Sequence, residues 1–244
     1  RALRGEHPSM VALREKAGAL LPRHQGARRL PPILIQGETG TGKGLLARLM
    51  HRAGPRAEGP FVELNCAAIP ESLLEAELFG YERGAFTDAR HAKPGLFHAP
   101  HAGTLFLDEV ALLPRGLQPK LLTVLEQGSV RRLGATRSEP ADVSIVAATN
   151  ASLRSAVAEG RFRADLYHRL AVLTLELPPL RERNADIDLL AEQLLARACT
   201  EYGLPMRTLG EDARMALRTY AWPGNVRELG NIIERAVLLS DLEA

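Results

Sequence analysis

Three glycines and a lysine within seven residues, Gly37-Glu38-Thr39-Gly40-Thr41-Gly42-Lys43, restrict this chain more than any other stretch. An apolar run, Ile33 to Gln36, precedes them, and Leu45 to His51 has the spacing of a helix. A strand, a glycine-rich turn and a helix in that order make a cradle for phosphate. Glycine lets successive backbone N–H groups converge on phosphate oxygens, the helix N-terminus adds the positive end of its dipole, and Lys43 supplies a compact charge for β- and γ-phosphates. A glycine-rich turn with an incidental lysine would lack the flanking strand and helix. Loops of this kind generally carry Ser or Thr after the lysine. Here Gly44 leaves no hydroxyl for Mg²⁺, so the ion depends on phosphates, water and a carboxylate from elsewhere.

A carboxylate pair stands at the end of another apolar run, Leu105-Phe106-Leu107-Asp108-Glu109. Beside a phosphate loop, such an acid holds Mg²⁺ directly or through water, and Asp108 is the candidate. Glu109 is then the general base that polarises the attacking water. On its own, an acidic pair after a strand is often only the approach to a helix N-terminus.

The rest of the chain supports an α/β domain. Phe61 to Cys66, Thr104 to Leu107, Val143 to Thr149 and Val172 to Leu177 read as strands, and Glu71 to Phe79 and Gln118 to Glu126 as helices between them. This alternation, from about residue 30 to 180, predicts a parallel sheet covered by helices on both faces. After Pro179 three helical segments follow, Asp186 to Ala198, Glu211 to Tyr220 and Asn225 to Leu239. They predict a small all-helical subdomain, giving residues 1–180 as the nucleotide-binding part and 181–244 as a lid. A net charge of +2 is too small to point to nucleic-acid binding. Only four of the 31 basic residues are Lys, so a single Arg is a weak signal unless its surroundings are specific. Cys66 and Cys199 lie far apart without metal-ligand spacing, which fits a reducing cytoplasm, and no apolar stretch approaches the length of a membrane span. The opening Arg1-Ala2-Leu3-Arg4 has neither Met nor an apolar leader, so the sequence reads as part of a longer protein.

Taken together, these motifs resemble the AAA+ domain of bacterial enhancer-binding proteins, the activators of sigma-54 RNA polymerase, from about Pro8 to Asp241. The resemblance implies an AAA+ P-loop NTPase that binds and hydrolyses ATP with Mg²⁺ and assembles as a ring, a hexamer in that family. Gly37 to Gly44, followed by Leu45, is similar to the family's Walker A, whose last position is usually acidic. Gly103 to Glu109 is similar to its Walker B. Asn65 stands where the family has an Asn that restrains the catalytic Glu, and Thr149-Asn150 where sensor I lies. Arg161 to Leu170 resembles the arginine-finger segment, with Arg163 and Arg169 at the finger positions. Without the resemblance, those arginines would read as a solvated helix face with salt bridges. Trp222-Pro223-Gly224-Asn225-Val226-Arg227-Glu228-Leu229 resembles sensor II. Pro and Gly break the chain there, Asn225 can cap the helix that follows, and Arg227 lies in its first turn.

Gly84-Ala85-Phe86-Thr87-Asp88-Ala89 is nearly the Gly-Ala-Phe-Thr-Gly-Ala loop by which that family engages sigma-54. An aromatic among small residues suits an exposed apolar contact; a Phe buried in a turn is the other physical reading. Asp88 replaces a glycine, adding charge and removing the easy route to positive φ. A second projecting loop is expected over Arg131 to Asp142. His91, His98 and His101 are close enough in sequence to suggest a metal, without a fourth ligand. Residues Ala19 to Pro31 form a longer, more basic stretch than the family has. DNA contact is expected only through a domain not contained in this sequence. The alternative function is a nucleotide-gated assembly scaffold, with weak hydrolysis or a partner other than sigma-54, and it rests on Gly44 and Asp88.

Overall fold

Residues Leu105, Phe106 and Leu107 are each fully buried, so their strand is covered on both faces. The computed structural model describes residues 3–20, 30–98 and 102–239. In chain order its elements are α1 (Pro8–Leu20), β1 (Ile33–Gln36), α2 (Lys43–Ala53), β2 (Phe61–Asn65), α3 (Glu71–Phe79), β3 (Gly80–Tyr81), β4 (Lys93–Pro94), β5 (Gly103–Asp108), α4 (Gln118–Gln127), β6 (Ser129–Val130), β7 (Glu139–Pro140), β8 (Val143–Thr149), α5 (Leu153–Ala158), α6 (Ala164–Leu170), β9 (Leu173–Glu176), α7 (Ala185–Glu201), α8 (Glu211–Thr219) and α9 (Asn225–Leu239). The chain divides into two compact units. The described residues within 17–36 and 44–175 form one, and those within 1–16, 37–43 and 176–244 the other.

The first unit holds the sheet, in the order β2-β5-β8-β1-β9. β2 on β5, β5 on β8 and β8 on β1 are all parallel. One face of β5 packs through Leu105 and Leu107 into a core with Leu74 and Leu78 of α3 and Leu121 and Leu125 of α4. Phe106 points the other way and stacks on Phe61, ring centroids 5.9 Å apart. A methyl group at Gly44 of α2 would lie 3.7 Å from that ring, an ordinary contact. Pro119, at the start of α4, falls where no helical N–H is needed, and Gly128 closes that helix in the left-handed conformation. Two short antiparallel ribbons, β3–β4 and β6–β7, were not anticipated from sequence, because two-residue strands carry no periodicity.

In the second unit α7, α8 and α9 pack around Ile187, Leu190, Leu195, Leu217, Leu229 and Ile233. Asp186, fully buried in the first turn of α7, accepts the backbone N–H groups of Glu6 at 2.5 Å and His7 at 3.0 Å. The residues just before α1 are thereby fixed to the helical part. α1 itself was missed in the sequence, although Met10, Leu13 and Ala17 bury at helical spacing. Most of the basic stretch, residues 21–29, lies outside the described residues, as do Pro100 and His101. No described helix is long and apolar enough to cross a membrane. Cys66 and Cys199 are free thiols, both buried.

Because Phe106 fills the middle of the central sheet, Phe106→Ala should lower the unfolding free energy by about 3–5 kcal/mol, read from a denaturant titration.

Candidate functional site

The phosphate loop is bound into the second unit by backbone approach. Gly40 has φ +80°, and a Cβ there would sit 2.1 Å from the carbonyl oxygen of Gly224. Glycine is needed twice over at this position, for its conformation and for the space. The contact is completed by the Arg227 N–H, which donates to the Gly40 carbonyl at 3.3 Å. Within the loop, Thr41 Oγ1 donates to the Glu38 carbonyl at 2.8 Å. The buried Lys43 ammonium donates to the carbonyls of Gly37 at 2.9 Å and Glu38 at 3.2 Å. Lys43 opens α2, so the cation and the positive helix end share one place.

Opposite the loop within the same unit stands the turn Trp222-Pro223-Gly224-Asn225. Trp222 is buried with its indole N–H donated to Leu217 O at 2.8 Å. The Glu228 carboxylate accepts the Gly224 N–H at 2.8 Å. Asn225 differs from the expectation. Its φ is +52° and its side chain does not cap α9. The amide is buried and links three segments: Oδ1 accepts the Leu180 N–H at 2.7 Å, and Nδ2 donates to Thr39 O at 2.9 Å and Glu38 Oε2 at 3.2 Å. Arg181, on the 3₁₀ turn Leu180–Glu182, grips the same Glu38 carboxylate with both Nη atoms, at 2.6 and 2.8 Å. These hydrogen bonds hold the Glu38 carboxyl down at about 2, below its ordinary 4.5. Arg227 is exposed in the first turn of α9.

In the first unit the parallel strands deliver their acids and amides to one edge. Asn65 and Asp108 are register partners at the ends of β2 and β5. Asp108 Oδ1 accepts the Glu109 N–H at 3.0 Å. Glu109 follows in the left-handed region, φ +53° and ψ +45°, a conformation that costs a non-glycine residue energy and is concentrated at functional sites. Its Oε2 accepts the backbone N–H of Asn150, just past β8, at 3.3 Å. Candidate base and candidate sensor thus meet. Asn65 uses its Oδ1 on the Ala67 N–H at 2.8 Å, a local turn. Burial pushes the neighbouring Cys66 thiol up to about 12, with the charges of Asp108 and Glu109 adding to the shift, so it stays a protonated, inert group.

The two arginines of the finger segment separate. Arg163 is exposed at the N-cap of α6 and pairs with the Asp165 carboxylate at 2.7 and 3.0 Å. Arg169 is half-buried, and its Nε and Nη2 both donate to Leu125 O, at 3.0 and 2.9 Å, near the C-terminal end of α4. Gln118 was passed over in the sequence. Fully buried, it donates to Leu113 O and Arg161 O, both at 3.0 Å, and accepts the Arg163 N–H at 2.9 Å. One amide therefore sets where Arg163 begins. Nothing in the sequence distinguished Gln118 from any polar residue at a helix start.

Phe86 is 44% exposed and rests edge-on against Tyr81, with ring centroids 4.8 Å apart. Thr87 and Asp88 are exposed, while Ala89 is buried. Positive φ in this loop belongs to Gly84, at +83°, and not to Asp88. The substitution at 88 therefore adds a charge without straining the backbone. The loop expected over Arg131 to Asp142 is tied to β3 and to Glu82, the residues that lead into the Phe86 loop. Glu82 N–H donates to Leu133 O at 2.9 Å, Leu133 N–H donates to Gly80 O at 2.9 Å, and Arg132 bridges Glu82 and Glu139. His98 lies 3.0 Å from Glu139, and no group of metal ligands occurs among the described residues.

Residues 3–176 match the family described as the sigma-54 interaction domain, and residues 181–244 the AAA+ ATPase lid domain. The chain is 50% identical over 239 residues to the response regulator protein PilR of Pseudomonas aeruginosa, covering 98% of this chain and 52% of that protein. It is 52% identical over 207 residues to the nitric oxide reductase transcription regulator NorR2 of Cupriavidus necator, covering 85% of this chain and 40% of that one. It therefore spans about half the length, or less, of these curated relatives. Among solved structures, NtrX from Brucella abortus in complex with ADP superimposes with a TM-score of 0.88 at 38% identity, over 98% of this chain and 51% of that one. NtrX in complex with ATP gives a TM-score of 0.87 at 38% identity, over 98% and 53%.

Two glycines at nearly the same φ separate conformational cost from steric cost. Gly84→Ala, with nothing within 4 Å of the new methyl, should lose only about 1–2 kcal/mol of unfolding free energy. Gly40→Ala adds a clash with backbone and should lose about 1–3 kcal/mol more, measured in the same urea titration.

Proposed function

The chain belongs to the sigma-54 interaction domain family, with the lid of AAA+ ATPases, and on that premise we propose that it binds and hydrolyses ATP to remodel the closed complex of sigma-54 RNA polymerase. Residues 1–180 serve as the nucleotide-binding part and 181–244 as the lid. Backbone N–H groups from Gly37 to Gly44, with Leu45 behind them, and the Lys43 ammonium bind the polyphosphate, and Arg227 follows its charge from the lid. A carboxylate oxygen suits a hard cation, and Asp108 is the carboxylate that would hold Mg²⁺. The ion, when bound, neutralises phosphate charge. Gly44 supplies no ligand, and a Cβ there would make only an ordinary contact, 3.7 Å from the Phe106 ring, so packing does not force glycine at that position.

Glu109 carries this reading. A non-glycine residue in the left-handed conformation, directly after Asp108 and hydrogen-bonded to the Asn150 N–H, is strained in the way a preset general base is. Its carboxylate takes a proton from water while Asn150 fixes its direction and Asn65, one strand away, limits it. Arg163 is the finger, exposed and held by one replaceable carboxylate partner, and it acts on the nucleotide of a neighbouring copy in a hexameric ring. Arg169 braces the same segment from within. The loop Gly84-Ala85-Phe86-Thr87-Asp88-Ala89 contacts sigma-54. DNA contact belongs to another part of the full protein, which works in the cytoplasm. The relatives, named as transcriptional and response regulators, do not favour a scaffold with a different partner.

Glu109→Gln should retain ATP binding and lower steady-state turnover at least about 100-fold; turnover within a factor of a few of wild type would remove Glu109 from the role. Specific ATPase activity should rise with protein concentration, and Arg163→Ala should lower it about 1000-fold without loosening ATP binding. A flat concentration profile would overturn the shared site.

A further inference from the structure

The phosphate loop contains an acid. Glu38 stands between Gly37 and Lys43, in the stretch assigned above to the polyphosphate, and an ionised carboxylate there opposes anion binding. The carboxylate is occupied from both sides. Arg181 Nη1 lies 2.8 Å from Oε2 and Nη2 2.6 Å from Oε1, a two-pronged match of guanidinium to carboxylate, and Asn225 Nδ2 adds a third bond at 3.2 Å. Arg181 is preset for this. Its neighbour Leu180 is fully buried, with its N–H fixed by Asn225 Oδ1. Both charged side chains are 40–45% exposed, and exposed pairs stabilise a fold little. A contact so well formed and so weakly stabilising calls for a role other than folding.

We propose that Arg181 is a positioning residue for nucleotide binding: it neutralises Glu38, so that the loop offers the polyphosphate only N–H donors and Lys43, and withdrawing it weakens the grip. The inference rests on the nucleotide-binding reading above. It also gives the lid control of affinity, because Arg181 and Asn225 reach Glu38 from the start of the helical part and from the first residue of α9. A shift of that part separates the pair and leaves an uncompensated negative charge among the phosphates.

The test is isothermal titration of the full chain with AMP, ADP and ATP. Arg181→Ala should weaken ADP about tenfold and ATP more, and leave AMP, which lacks the β- and γ-phosphates, within about twofold. Adding Glu38→Gln to Arg181→Ala should restore ADP and ATP to within about threefold of wild type, because the harmful charge has gone. Arg181→Lys, which keeps the charge, should fall between wild type and Arg181→Ala. Glu38→Gln alone, which does not depend on the Arg181 variant folding, should raise the ratio of ATP to AMP affinity. Failure of Glu38→Gln to rescue, equal losses for AMP and ATP, or a lowered ATP-to-AMP ratio in Glu38→Gln would overturn the inference while leaving the nucleotide site in place. A wild-type chain that binds none of the three nucleotides would overturn both readings.

Discussion

Parallel pairing in the first unit is the constraint from which the candidate chemistry follows. β2, β5, β8 and β1 run the same way, so each must return by a crossover, and their C-terminal ends fall on one edge. Asn65, Asp108 with Glu109, and Asn150 leave the sheet at those ends, and β1 ends at Gln36, where the chain enters the glycine loop. Residues far apart in sequence become neighbours without any of them having to attract another. The continuous burial of β5 and β8 fixes that register, because a slip would carry Asp108 into the apolar interior.

Charge is managed separately in each unit. At the sheet edge, Asp108 and Glu109 stay half-exposed, their oxygens already bonded to backbone N–H groups, while the buried thiol beside them is kept neutral. In the loop unit the acid Glu38 is met by a cation and an amide, and the cation Lys43 rests on backbone carbonyls. Each of these charges is thus met by groups of its own unit, so that neither unit leaves one of them bare near its surface.

Much of this was legible in the sequence, for physical reasons. Glycine is needed where backbone must approach backbone, and the spaced glycines leave a signature; at Gly40 the carbonyl of Gly224 is one physical reason for it. Buried parallel strands have to be apolar throughout, so β5 and β8 stood out. The contacts that were missed depend on side chains whose partners are remote in sequence. Gln118 and Arg163 are 45 positions apart, and Glu38 and Arg181 are 143 apart. The abundance of arginine concealed Arg181 and made Arg163 and Arg169 look alike, although one is exposed and the other spends its guanidinium on α4. Asn225 looked like a helix cap because its residue type and position suit one; burial and a positive φ direct its amide elsewhere.

The Phe86 loop is closed on itself. Gly84 N–H reaches Ala89 O at 2.8 Å, Ala89 N–H reaches Phe86 O at 3.0 Å, and the phenyl ring leans on Tyr81. A slack tip would give up about 1–2 kcal/mol of backbone freedom per residue on meeting a surface, whereas the residues bonded here have already given up part of that freedom in folding. Tyr81 belongs to β3, so the ring contact ties the tip to that ribbon as well as to itself.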